Sequence, residues 1–251
     1  MKISATIITL NEERNIERCI LSVKEVVDEV IVLDAYSTDQ TKAICESLNV
    51  RFEQRAWEGY AASKNYLNGL ANGTYILSLD ADEALDETLK NEVLRIKNTE
   101  NPQLYSMNRL TNYCGKWIKH SGWYPDVKLR IFPKDGSKWE GAFVHEELSY
   151  PRDLRIEELK GHLHHYSYYS FEDHRARADK YSALTAQKMH AAGKTASAMK
   201  PYLSALGRFI SMYLLKLGFL DGRMGFKIAQ ISALSNIFKY KELRRLSREA
   251  N

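Results

Sequence analysis

Three short apolar runs constrain this chain more than any other feature. ISATIITL (Ile3–Leu10), EVIVLD (Glu29–Asp34) and the run Thr74–Leu79 in TYILSLD have strand length and strand composition. Each is bounded by charge or turn-forming residues, and helical segments separate them. After the first run, Ile16, Ile20, Val23 and Val27 fall on one helical face. After the second, a Ser-Thr-Asp segment caps the helix in AYSTDQTKAICESL, and VRFEQRA adds a short strand. GYAASKNYLNGLANG is a further helix, which Gly73 is expected to close. The order βαβαβαβ predicts a parallel sheet covered by helices, an α/β fold. Right-handed crossovers then place the C-terminal strand ends along one edge, where ligands bind in such folds.

Beyond this half the rhythm changes. Gln103–Leu110 and Val127–Pro133 read as antiparallel or mixed strands that complete the sheet, and from Phe171 the chain reads as helical. Domain boundaries are expected at 1–165 for the sheet and 166–251 for a helical extension. The 251 residues are 44% hydrophobic and 27% charged, which excludes disordered, collagen-like and coiled-coil classes. A net charge of +4 suits anionic partners. Cys19, Cys45 and Cys114 have neither metal-ligand nor redox spacing, so a reducing, cytoplasmic compartment is expected. The start reads as no signal peptide, and no window reaches the run of about 18 apolar residues that a membrane span needs.

Chemistry-bearing residues gather where the strands end. Asp80 closes an apolar strand and Asp82 lies two residues on, so both carboxylates are expected on one face. Magnesium and manganese take such oxygen ligands, with phosphate and water completing the shell. Part of the same run, Asp86 or a neighbour, is expected to cap the helix in DETLKNEVLRI. Asp34 closes the second strand and Asp39 opens the next helix; both suit ribose or base hydrogen bonds, and equally an Asx-turn. Lys64, in SKN, is placed to balance phosphate charge. The first strand is followed by TLNEERN, with no glycine-rich or lysine-bearing phosphate loop, which disfavours dinucleotide oxidoreductases and ATPases.

Together, ATIITLNEERNIERCILSV, EVIVLDAYSTDQT, AASKNYLNGLANGTYILSLDADE and WEGAFVHEEL resemble the family 2 glycosyltransferases. The nearest group resembles bacterial lipopolysaccharide core-biosynthesis enzymes, including the β-1,4-glucosyltransferase type. The resemblance implies a GT-A fold with a helical C-terminal extension, a nucleotide-sugar donor such as UDP-glucose or another UDP-hexose, Mg²⁺ or Mn²⁺, and inversion at the anomeric carbon. It implies that Thr9, Leu10, Asn11, Glu12 and Asp34 line the nucleoside pocket and that Asp80 faces ribose or metal. Asp82 would be the principal metal ligand, joined by His164 or His165 from GHLHHYSYYS; His162 is the third histidine there. The family's usual Glu-Asp pair is replaced by WEGAFVHEEL. Glu146 is therefore the first choice of general base, with Glu140 and Glu147 as alternatives and His145 as an orienting or phosphate-binding neighbour. Trp123, Tyr124 and Trp139 are candidates for stacking on sugar rings, Asp126 for acceptor contact, and Arg130 for a phosphate. The expected acceptor is a lipid-linked oligosaccharide, and no nucleic-acid motif is present. A non-catalytic carbohydrate-binding protein of the same fold and a nucleotidyltransferase are the rival readings. The C-terminal stretch mixes apolar faces with Lys200, Arg208 and Lys216. It is expected to meet the inner face of an anionic bacterial inner membrane or to form a homodimer surface.

Overall fold

β1 (Ile3–Thr9) is buried along its whole length, because it carries apolar side chains toward both faces of the sheet. Ile3, Ala5 and Ile7 pack with α1 (Ile16–Val23) through Ile16, Ile20 and Val23. On the opposite face Ile8 packs with Ile31 and Leu33 of β2 (Glu29–Asp34). α2 (Thr41–Ser47), β3 (Arg51–Gln54), α3 (Tyr60–Leu70) and β4 (Tyr75–Asp80) follow. β1 pairs in parallel with β2 and β4, and β2 with β3. The order β3-β2-β1-β4 reverses direction at β1. Such a reversal opens a crevice outside the carboxyl ends of the strands, here β1 and β4.

Gly73 does not close α3. The helix ends at Leu70, with Ala71 as an extended C-cap. A Cβ on Gly73 would stand 2.7 Å from the Ser4 backbone nitrogen, so glycine is required by the close approach of β1.

The computed structural model describes residues 1–99, 103–141 and 146–249. They form two compact units: Met1–Arg109 with Asp126–Tyr166, and Leu110–Pro125 with Ser167–Asn251. The helical extension expected from residue 166 thus belongs to a unit that also takes in Leu110–Pro125.

The first unit continues with β5 (Glu83–Leu85), α4 (Glu87–Lys97) and β6 (Leu104–Tyr113), whose last residues enter the second unit with β7 (Lys116–Trp117). β8 (Val127–Pro133), β9 (Lys138–Glu140), β10 (Glu147–Ser149) and β11 (Ile156–Tyr168) complete the strands. β8 runs antiparallel to β4 and β6, as the change of rhythm predicts. The main sheet has the order β3-β2-β1-β4-β8-β6-β11-β5. In a flat sheet β5 would lie about 19 Å from β4. The segment from Asp80 to Glu83 reaches at most about 11 Å. The sheet therefore curls, and the curl carries β11 toward the acidic end of β4. Asp86 caps α4 by accepting a hydrogen bond from the Leu89 amide at 2.7 Å.

In the second unit, α5 (Phe171–Ala191) starts at the expected residue, capped by Ser170. α6 (Lys200–Ile210) passes through a π-turn (Ser211–Leu215) and a 3₁₀ turn (Gly218–Asp221) into α7 (Gly222–Glu249). Among the described residues no single helix is long and apolar enough to cross a membrane; Lys200–Leu215 and Gly218–Glu249 meet that test only as a pair bent by 72°. Tyr113, Trp123, Tyr168 and His174 form an aromatic cluster, so Trp123 is a packing residue here.

Burial lowers the His174 pKa to about 4, from an ordinary 6.5. Its Nδ1 lies 2.8 Å from the Tyr113 hydroxyl. The folded state binds this proton less readily than the unfolded one. Stability is therefore lost as pH falls from 6.5 toward 4, at about 1.4 kcal/mol per pH unit. An NMR titration should find an imidazole with a midpoint near 4 that disappears in His174→Phe. A midpoint near 6.5 would contradict the buried neutral assignment.

Candidate active site

The parallel register sets Thr9 beside Asp34 and Ile8 beside Asp80, so three strand ends meet at one edge. The loops beyond β1 and β2 are laced together. The Asn11 amide donates to Ser37 Oγ at 2.7 Å, and Asn11 Oδ1 accepts from the Thr38 amide at 2.8 Å. The Glu12 amide donates to Thr41 Oγ1, and the Glu13 amide to Asp39 Oδ2. Asn11 has φ 55°, a conformation asparagine tolerates better than most residues. Leu10 remains exposed. Thr9 Oγ1 is buried without a protein partner, a polar atom available to a ligand.

Asp34 lies beneath this surface. It is fully buried and accepts hydrogen bonds from the Ser37 amide and hydroxyl and from Gln54 Nε2. Its role in this state is to shape the loop that carries Ser37.

Across the tip of the sheet runs a chain of alternating charges. Glu146 Oε1 stands 3.1 Å from Lys64 Nζ, which stands 3.3 Å from Asp80 Oδ1. Asp80 Oδ2 accepts from Arg130 Nη2 at 2.9 Å, and Arg130 also bonds Glu83. Glu83 meets Arg109 at 3.3 Å; Arg109 holds Asp126 at 2.8 Å, and Asp126 holds Lys128 at 2.9 Å. Lys64, Glu83 and Arg130 are 3%, 1% and 4% exposed, so none of these charges is paired by water. The Asp80 side chain is 31% exposed, although its Oδ1 is enclosed. Burial opposes the Asp80 charge, but Arg130 and Lys64 outweigh it and hold this carboxyl well below the usual range. Burial likewise opposes the Arg130 charge, and Glu83 and Asp80 outweigh it. Lys64 and Arg130, expected at phosphates, are thus placed under the tip as counter-ions. Asp126, expected at an acceptor, is held by two cations.

Asp82 is held differently. It lies in the turn between β4 and β5, and its Oδ2 is 3.2 Å from His165 Nε2. The pairing of β5 with β11 sets His165 opposite Glu83 and His164 opposite Ala84. Neighbouring strand residues point to opposite faces. His164 accordingly stacks on His162, with ring centroids 6.5 Å apart, and His162 bonds Asp86. Of the two histidines expected at a metal, the structure brings His165 to Asp82 and leaves His164 on the other face. Asp82 and Asp80 do not act as a matched pair, since Asp80 is claimed by Lys64 and Arg130. Among the described residues no three His, Cys, Asp or Glu side chains form a metal cage. A carboxylate and an imidazole fit a divalent ion whose other positions are filled by substrate phosphate and water. Beneath the turn, burial and the nearby Glu83, Asp82 and Asp80 push the Cys19 thiol up, so it stays protonated.

The three candidate bases separate clearly. Glu140 and Glu147 face each other across the β9–β10 hairpin, and both are exposed. Glu146 is turned inward to Lys64. The hairpin is fixed by Asn65, whose side chain donates to the Trp139 carbonyl at 2.8 Å and accepts from its amide at 2.9 Å. Trp139 is a core residue packed edge-on against Phe132, with Lys64 4.7 Å above its ring; it is not placed for sugar stacking. Tyr124 lies in the second unit. His145 lies outside the described residues.

Arg109, Ser37 and Gln54 were not singled out by the sequence reading. A lone charge inside the otherwise uncharged LYSMNRL was the available signal for Arg109; Ser37 and Gln54 gave none. Arg18 stacks on Tyr166, 3.8 Å from the ring centroid, next to His165.

This sheet and its acidic tip define a nucleotide-sugar transferase fold, and comparison with known proteins gives the family. The model for glycosyl transferase family 2 matches residues 4–169. The chain belongs to that family and has its GT-A fold, with a helical C-terminal part. An uncharacterized glycosyltransferase of Rickettsia bellii is 32% identical over 267 residues, covering 100% of this chain and 88% of the relative. LpsC, a lipopolysaccharide core biosynthesis glycosyltransferase of Rhizobium meliloti, is 35% identical over 95 residues, 36% of this chain and 35% of that protein. Among solved structures, S. aureus TarS 1-349 in complex with UDP is 18% identical with a TM-score of 0.47, covering 100% of this chain and 92% of that one.

Arg130→Met leaves Asp80 and Glu83 short of a buried cation. It should lower stability by about 3–5 kcal/mol in urea denaturation. A loss below about 1 kcal/mol would show that the network does not hold the tip together.

Proposed function

We propose that the chain is an inverting glycosyltransferase of the β-1,4-glucosyltransferase type. It moves a hexose from a UDP-linked donor to lipopolysaccharide core or a related lipid-linked glycan. Family membership supports sugar transfer, and the partial likeness to LpsC supports the acceptor class. One observation carries the catalytic reading. Among the described residues of the 138–149 hairpin, Glu146 is the carboxylate tied through Lys64 to Asp80 at the end of β4.

In this reading Glu146 accepts the proton of the acceptor hydroxyl. The acceptor oxygen bonds to the anomeric carbon from the face opposite the diphosphate, whose C–O bond breaks with its electron pair leaving on phosphate. One displacement inverts the centre and needs no covalent sugar–enzyme intermediate. Lys64 and Asp80 fix Glu146 in position, and the buried Thr9 hydroxyl is offered to the nucleoside. Mg²⁺ or Mn²⁺ held by Asp82 and His165 would neutralise the departing diphosphate. Asp82 suits that role because its partner is an imidazole, whereas Asp80 and Glu83 are matched by permanent cations.

Glu146→Gln should lower single-turnover transfer by about 10²–10⁴-fold with donor affinity nearly intact. Glu140→Gln and Glu147→Gln should remain near wild type. Normal transfer by Glu146→Gln would exclude this base. A donor screen measuring released nucleoside diphosphate tests the UDP assignment.

Asp82→Asn removes an anionic ligand without breaking the charge chain. Calorimetry should show Mn²⁺-dependent UDP binding weakened about tenfold or more, with the melting temperature little changed. Unchanged Mn²⁺-dependent binding would remove Asp82 from the cation site.

A further inference from the structure

α6 turns its apolar side outward. Met199, Tyr202, Leu203, Leu206 and Ile210 follow the i, i+3, i+4 spacing of one helical face, and all are exposed. The opposite face buries only the small Pro201 and Ala205. A helix packed on a domain core is arranged the other way round. The exposed surface continues through the break between α6 and α7, where Leu214, Leu217, Phe219 and Leu220 are open and Leu215 is 75% exposed.

The break is built, not frayed. Leu217 takes φ 54°, and the Gly218 carbonyl approaches Gly225 so closely that a Cβ there would lie 1.8 Å away. Asp221 accepts hydrogen bonds from the Lys119 and His120 amides at 3.2 and 3.0 Å, and its carbonyl accepts from Lys116 Nζ at 2.7 Å. The bend therefore presents its leucines in a fixed shape.

Charge identifies the occupant. Residues 180–241 carry ten Lys or Arg and one acid, Asp221, which is buried and bonded internally. Exposed Lys194, Lys200, Arg208, Lys216 and Arg223 accompany the apolar side chains. A second copy of this surface would bring like charges together. An anionic lipid surface neutralises them while its acyl region takes the leucines, and the lysine and arginine stems lie along the boundary. We propose that the outward face of α6 and the Leu214–Leu220 bend dock on an anionic bilayer, such as the inner leaflet of a bacterial inner membrane. This inference stands apart from the transferase reading, because it uses none of the residues assigned to catalysis.

The full chain should float with vesicles of phosphatidylcholine and phosphatidylglycerol and much less with phosphatidylcholine alone. High salt should weaken the difference. Leu203→Gln with Leu215→Gln, and separately Lys200→Glu with Arg208→Glu, should each lower partition about tenfold or more. Circular dichroism and UDP binding should be unchanged in both. Lys42→Glu on α2, a charge reversal away from this surface, should have no effect. Equal flotation by wild type and both folded variants would overturn the proposal. So would a dimer in sedimentation that the same changes dissociate and that vesicles do not displace.

Discussion

Arg130 lies between Asp80 and Glu83 with almost no access to water, and the character of the site follows from that placement. A buried guanidinium costs several kcal/mol to desolvate and is tolerated only where carboxylates meet it with good geometry. Lys64 and Arg109 extend the same logic outward to Glu146 and Asp126. Alternation of sign keeps every member next to an opposite charge. Two of the three acidic residues in DADE are thereby neutralised by fixed cations. The third, Asp82, faces an imidazole.

The curl of the sheet makes this possible. β5 must stay within reach of β4, yet it pairs with β11 at the far end of the strand order. Closing that distance brings His165 to Asp82. α3 contributes in a different way: Lys64 enters the charge chain while the next residue, Asn65, clamps the hairpin that presents Glu146. Two adjacent helix residues thus join the acidic end of β4 to the segment bearing Glu146, the proposed base.

Much of the fold was legible because β1, β2 and β4 are apolar runs that end in polar chemistry, and their order dictates a parallel sheet. The N-cap at Asp86 and the start of α5 at Phe171 follow from local rules and were readable in the same way. Pairings were not. Arg130 and Asp80 are 50 residues apart, and nothing in KLRIF distinguishes a buried counter-ion from a phosphate ligand. Trp139 looked like a sugar platform because tryptophan serves both purposes; Asn65 and Phe132 decide it for the core. Glu83 begins a three-residue strand whose partner is remote in sequence, a pairing that nothing in DADEALD announces. The histidine choice was open for a related reason: only the register of β11 against β5 shows which face each ring takes.

A crystal structure with Mn²⁺ and UDP, using the anomalous signal of manganese, tests the account most directly. The charge chain predicts manganese bound by Asp82 and His165, with Arg130 still bridging Asp80 and Glu83. Manganese coordinated by Asp80, with Arg130 displaced from it, would contradict the account.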